Sequence, residues 1–209
     1  MSPASPLAVE DALVSVAITA NGEAIDSTFQ VVSIDTWSAV NRVPRARIVL
    51  YDGSAPEQTF PISDLGTFLP GTPIEISAGY NGALQTIFSG IVIAHGIEIP
   101  RNAASTLVVD VVDTAIKMTI SRKSAVFEKI KDADLIGQLI SASGLSNEVD
   151  TTTTVHESVF QYDATDWDTM LLRAELNGLM VTTEAGKITV KAPDTSQAPP
   201  LRVSYGESI

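Results

Sequence analysis

Residues 74–95, IEISAGYNGALQTIFSGIVIAH, decide the fold class. At their centre stands Asn81-Gly82, the dipeptide a two-residue type I′ turn prefers because both central residues need a positive φ. Before it, Ile74 and Ile76 alternate with Glu75 and Ser77, the pattern of a strand with one dry and one wet face. After it comes an apolar run with β-branched Ile87, Ile91, Val92 and Ile93. The segment predicts a hairpin with strands over 74–80 and 84–95.

The same reading extends outward in both directions. Residues 105–116, STLVVDVVDTAI, are nearly continuous in apolar side chains and predict another strand. In 45–52, Arg45 and Arg47 alternate with Ala46 and Ile48, and Pro44 stands where a strand can begin. Residues 28–37 and 12–19 add two more strands, the latter followed by a second Asn-Gly turn at Asn21-Gly22. Residues 53–73 hold four prolines and three glycines, too broken for regular structure. Their Phe60, Ile62, Leu65, Phe68 and Leu69 predict a loop that packs down. Residues 12–120 therefore hold six or seven strands and no convincing helix, as in a small barrel or sandwich.

The character changes after the basic stretch 117–131. Leu135, Ile136, Leu139 and Ile140 fall at helical spacing behind Asp132, and Gly144 can end that helix in the left-handed conformation. Residues 149–156 contain four consecutive threonines and read as extended. Thr165, with Asp168 three residues on, resembles a capping box. The helix it opens places Trp167, Met170, Leu171 and Ala174 on one face and closes at Asn177-Gly178. A hairpin follows, 179–183 and 188–191 around a turn at 184–187. Residues 125–192 thus read as a small α/β unit. Residues 193–200, PDTSQAPP, read as a linker, and 201–209 open like another strand, which predicts a natural chain that continues.

Composition agrees. Val (20), Ile (19) and Thr (20) make up 59 of 209 residues, an enrichment that favours pleated surfaces over long helices. The net charge is −12, the wrong sign for neutralising phosphates, so nucleic acid is excluded as a partner. Charge is uneven: residues 101–131 carry three acids and six bases, while the flanks are acidic. The absence of cysteine removes disulfide scaffolds, zinc ribbons, iron–sulfur clusters and thiol nucleophiles. The first 18 residues lack a basic region and carry Glu10 and Asp11, so they do not read as a secretory signal. No run of about 18 apolar residues exists to span a membrane as a helix.

Catalytic constellations are absent from the pattern. His156 with Ser158, or His95 with Ser89, could in principle pair as base and nucleophile, yet no GxSxG elbow surrounds either serine. Both histidines read as polar strand-end or loop residues. His156-Glu157 begins like HExxH, but Phe160 stands where the second histidine would be. Asp163, Asp166 and Asp168 lack the calcium-loop pattern, and the last two read as first-turn helix carboxylates. No glycine-rich phosphate loop occurs. The expectation is a protein that is not an enzyme, with no cofactor and no metal site.

The order of features carries more. FSGIVIAHGIEI (88–99) is followed by STLVVDVVDTAIKMTISRKSAVF (105–127), ADLIGQLISASGL (133–145) and TTTVHESVFQYDATDWDTMLLRAELNGLMV (152–181). The most specific blocks are Arg122-Lys123-Ser124 with Phe127, Gln161-Tyr162 with Asp166-Trp167-Asp168, Arg173-Ala174-Glu175, and Asn177-Gly178. This series resembles the hub region of VgrG-type (Rhs-element Vgr) spike proteins of type VI secretion and related contractile injection systems, which are similar to contractile-phage baseplate hubs. The likeness is weak before residue 70 and good from 86 onward.

The resemblance implies a fold class that is mainly β with a small α/β insertion. Residues 1–124 would form a first phage-hub-like β-barrel, 125–192 the α/β domain, and 193–209 a linker and the first strand of a second barrel. It further implies a homotrimer in the full-length protein, joined to a hexameric tube protein, to baseplate components and to a spike-tip protein or effector. Such a particle assembles in the cytoplasm and is then ejected with the spike. Arg122, Lys123, Lys129 and Lys131 are the candidate intersubunit or tube contact. Two other readings stay open on the residues alone: a carbohydrate-binding β-sandwich and a phage-borne hydrolase.

Overall fold

The computed structural model describes residues 13–54 and 56–196 of the chain. The chain is mainly β with a small α/β unit, and its apolar side chains form two separate cores. The first core belongs to one sheet. Strands β1 (Val14–Ala20), β2 (Glu23–Ala24), β3 (Val31–Trp37), β4 (Arg45–Tyr51), β5 (Pro73–Tyr80), β6 (Gln85–Glu98) and β7 (Thr106–Val112) are ordered β2-β1-β5-β6-β7-β4-β3. Every pairing in it is antiparallel. Inward-facing Ile48, Leu50, Ile74, Ile76, Leu107 and Val109 are fully buried, as the alternating sequence requires.

The 14-residue strand β6 turns the sheet through a corner. Its first half pairs with β5 and its second half with β7, and the two ladders meet at Ile91. Gly90 sits at that corner, where a Cβ atom would lie 2.4 Å from the Val112 carbonyl oxygen, so only glycine permits the approach. The sheet rolls until its two ends, β1–β2 and β3, line one groove of about 640 Å³. No ladder joins those ends among the described residues, and the rolled sheet is open along that seam.

The broken stretch 53–73 packs down in part. Phe68 is buried and meets Phe29 with ring centroids 6.4 Å apart, whereas Leu65 and Leu69 stay exposed. It also holds a helical turn, α1 (Pro61–Asp64), in a segment too rich in proline and glycine to predict one. The turn is capped from outside: buried Asp52 accepts hydrogen bonds from the Ile62 and Ser63 amides at 3.0 and 2.8 Å. The strand predicted over 105–116 ends earlier, at Val112, because the Asp113 carboxylate accepts the Ala115 amide at 2.8 Å and opens a 3-10 helix, Thr114–Thr119.

The second core lies under a two-stranded ribbon, two helices and a small sheet. Strand β8 (Arg122–Lys131) occupies the basic stretch, and β10 (Val155–Thr165) pairs with it antiparallel. Both extend beyond the sequence expectation, which left 117–131 unassigned and ended extended structure at 156. Cross-strand pairing, which local pattern does not reveal, is what makes them strands. Helix α2 (Asp132–Ala142) buries Leu135, Ile136, Leu139 and Ile140, and Gly144 at φ +74° ends its last turn. Helix α3 (Asp166–Leu176) starts at Thr165, whose hydroxyl accepts the Asp168 amide at 3.0 Å, and buries Trp167, Met170 and Ala174. A three-stranded sheet completes the unit: β11 (Met180–Glu184), β12 (Lys187–Lys191) and β9 (Ser146–Val149), with β9 parallel to β12. The strand expected over 201–209 lies outside the described residues.

Candidate functional site

The four basic residues singled out by sequence all stand on β8. Their surroundings divide them. Arg122 donates to the Asp163 carbonyl at 2.8 Å and lies 3.6 Å from its carboxylate. Lys123 donates to buried Asp166 at 2.6 Å, and Gln161 donates to the other oxygen of that carboxylate at 3.1 Å. Arg122 ties β8 to the end of β10, and Lys123 ties it to the start of α3. Lys129 and Lys131 are exposed, and no ion pair involves them among the described residues. Lys129 adopts φ +49°, a left-handed conformation in mid-strand.

The outer face of the ribbon carries exposed apolar side chains beside Ser158 and Glu128. Phe160 stands opposite Val126, and beside them Tyr162 is 84% exposed. The opposite face, with Val159 and Gln161 buried, covers the second core. Asp163 turns to Arg122 and Asp166 to Lys123, so two of the three carboxylates considered as a cation site already have positive partners. Asp168 lies in the first turn of α3.

Beneath the ribbon lies a polar cluster that sequence reasoning missed. The carboxylate of Asp132, 3% exposed, accepts hydrogen bonds from Arg173 Nε at 2.5 Å and Asn177 Nδ2 at 2.9 Å. His156 Nε2 lies 2.9 Å from Asp132 Oδ2 and 2.9 Å from Arg173 Nη2. That nitrogen either donates to the carboxylate or accepts from the guanidinium, never both at once. Burial pushes the Asp132 carboxyl up. The hydrogen bonds from Arg173, Asn177 and His156, with the Arg173 charge, outweigh it and hold the group below the ordinary carboxylate value. The available signal was Arg173 and Asn177, four apart on one helix face.

His156 is therefore engaged by Asp132 or by Arg173 within this cluster, while Ser158 is exposed on the ribbon. His95 contacts the Phe68 carbonyl at 2.9 Å through Nδ1, anchoring the packed loop to β6. Ser89 lies six residues back on the same strand, and no hydrogen bond joins it to His95 among the described residues. Neither histidine has the serine once considered as its partner within a hydrogen bond.

The two units are pinned together at two points. Asn41, in the β3–β4 loop, donates its amide to the Val181 carbonyl at 2.8 Å and accepts the Val181 amide at 2.9 Å. Asp113, 1% exposed, accepts the Gly186 amide at 3.1 Å through its second oxygen. Between the units runs a cleft of about 580 Å³, walled by β6 on one side and by β11 and β12 on the other, with Trp37 at the end of β3. No described helix is long and apolar enough to cross a membrane.

Several solved structures share this fold. The 43 kDa tail protein of prophage MuSo2 from Shewanella oneidensis matches 89% of this chain with 55% of its own, at TM-score 0.65 and 12% identity. The E. coli c3393 protein is a component of the type VI secretion system with structural similarity to T4 bacteriophage tail proteins gp27 and gp5. It matches 82% of this chain with 48% of its own, at TM-score 0.55 and 14% identity. A chain of the half-lidded Francisella PdpA–VgrG complex matches 88% with 31% of its own, at TM-score 0.51 and 14% identity. The chain thus spans about half the length of the first two and a third of the last. No curated protein matches it in sequence. The model of one family, the Alg8 N-terminal domain, matches residues 10–209, and the chain belongs to that family.

Proposed function

We propose that this chain is part of the hub of a contractile injection spike, of the type VI secretion or related phage-tail-like class, and that its work is structural. The observation that carries the reading is the fold: one rolled antiparallel sheet with a small α/β unit, covering most of the chain, as in a phage tail protein and a type VI secretion component. An adaptor between a threefold spike and a sixfold tube needs geometry and not chemistry. Three copies closing a ring would also cover open strand edges. In this reading the full-length protein is a homotrimer that meets the hexameric tube, baseplate components and a spike-tip protein or effector. It assembles in the cytoplasm and leaves with the spike.

The exposed face of the β8–β10 ribbon supports an intersubunit or tube contact there. Arg122 also holds the end of β10 and Lys123 the start of α3, so reversing their charge disturbs the fold as well as any contact. Lys129 and Lys131 give the clean test. Reversing both should weaken particle assembly and leave the fold intact; unchanged assembly sinks the ribbon as a contact. The function itself is tested by the native mass of the full-length gene product. A threefold mass supports the hub, and a strict monomer removes the ring on which the proposal depends.

A further inference from the structure

The seam of the rolled sheet is shaped for one more strand. Among the described residues β3 pairs with β4 alone. β1 pairs with β5 along its whole length, but on its other edge β2 covers only Thr19 and Ala20. On that edge the Ile18 carbonyl accepts the Ile25 amide. Residues two apart on a strand point the same way, so the backbone groups of Val16 and Val14 face the seam. The side chains agree. Val14 and Val16 share a face with buried Ile18 and Ala20, and Val31 stands opposite buried Leu50, so all three are on the core side of the sheet. Yet they are between 40% and 60% exposed. Inward-facing apolar side chains left wet, between two free strand edges and along a groove of about 640 Å³, match a strand with one apolar face.

The chain itself carries such a strand. Leu201-Arg202-Val203-Ser204-Tyr205 alternates apolar and polar residues and is followed by Gly206. Its five residues equal the stretch of β1, Val14–Ile18, that no ladder covers on the seam side. Residues 1–12 fit less well: they lead straight into β1, and Pro3, Pro6, Glu10 and Asp11 break any such alternation. The described chain also ends near the right place. Val190 pairs with Val181, which is bonded to Asn41, four residues past the end of β3 at Trp37. The nine residues from 192 to 200 reach about 30 Å, enough to return to that end of the seam. We propose that residues 201–205 fill the seam as a strand, antiparallel to β3 and parallel to β1. Leu201, Val203 and Tyr205 then turn into the first core, and Arg202 stands on the outer face, where Asp35 of β3 is exposed. On this proposal the stretch expected to open a second barrel closes the first. It stands on the seam alone and is independent of the hub reading.

Paramagnetic NMR of the 209-residue chain tests it. The chain has no cysteine, so Ser204→Cys, on the strand's outer face, gives a single site for a nitroxide. The label should erase the amide signals of Val14–Ile18 and Ser33–Trp37 and leave those of α2 and β9 sharp. Nitroxide-bearing chain mixed with isotope-labelled chain that lacks the nitroxide should erase none, because the contact lies within one chain. Hydrogen exchange gives a second reading. Val203→Asp puts a charge on the inward face and should speed exchange at the Val16 amide by at least about tenfold, whereas Ser204→Asp, facing outward, should not. The nitroxide measurement serves if Val203→Asp does not fold. Sharp β1 and β3 signals in the nitroxide-bearing chain overturn the proposal. So does signal loss in the mixed sample, which would put a second copy in the seam, or Val16 exchange that is the same in the two aspartate variants.

Discussion

Asp132 shows how one residue organises an element. It opens α2, yet its partners come from β10 and from α3 with its cap, so a buried charge is held by the Arg173 and Asn177 donors, with His156 beside them. Removing the cation by Arg173→Ala leaves that charge uncompensated and should cost about 3–5 kcal/mol, measured by urea unfolding at neutral pH. The pH dependence follows from the direction of its shift. A carboxyl held below its unfolded value contributes stability that is full above the unfolded pKa and is lost as pH falls through the folded one. Unfolding followed below about pH 4 should therefore show a loss of stability that is smaller in Asp132→Asn. Gly186 gives a second residue-scale test. Its φ is +76°, and a Cβ there would lie 2.5 Å from Thr114 Oγ1. Gly186→Ala should lower the melting temperature, and Thr114→Ala added to it should restore part of the loss by removing the clash, though not the backbone strain.

At the scale of elements, the ribbon and α3 show how burial separates neighbours in sequence. Val159 is buried while Phe160 is 71% exposed. Phe160→Ser should change the stability of the isolated chain by no more than about 0.5 kcal/mol. Trp167, 6% exposed in the second core, should cost roughly 3–5 kcal/mol when replaced by alanine, measured by chemical denaturation. A loss below about 1 kcal/mol would mean that the helix repacks without it. On the three-stranded sheet, Glu148 of β9 accepts from Lys187 and Lys191 of β12, which hold its carboxyl down to about 2.

For the whole molecule, two cores and two pins predict how it unfolds. Asn41 and Asp113 carry the hydrogen bonds between the rolled sheet and the α/β unit. Asn41→Ala combined with Asp113→Ala removes both side-chain bonds and leaves the Asn41 main-chain bond to Val181, which should loosen the units enough for calorimetry to separate two transitions where the parent chain gives one. A single transition in the double variant would show that the pins do not couple the cores.

What the sequence determined by itself was local. Alternation of apolar and polar residues, Asn-Gly turns and the spacing of Leu135, Ile136, Leu139 and Ile140 placed most strands and both long helices, because backbone period and turn geometry are encoded over a few neighbouring residues. The ordered blocks from 88 to 181 pointed to a tail-like fold, which the structure and its relatives share. Tertiary structure alone decided which residues meet. The basic stretch became a strand only because β10 pairs with it, and a strand's stability lies in its cross-strand partners. Arg122 and Lys123 were paired with Asp163 and Asp166, leaving Lys129 and Lys131 with no ion pair among the described residues, and no spacing along the chain reveals that division. Asp132, His156 and Arg173 were likewise unreadable as a cluster. They lie 17 to 41 residues apart, and only packing of the helices against the ribbon brings them within hydrogen-bond distance.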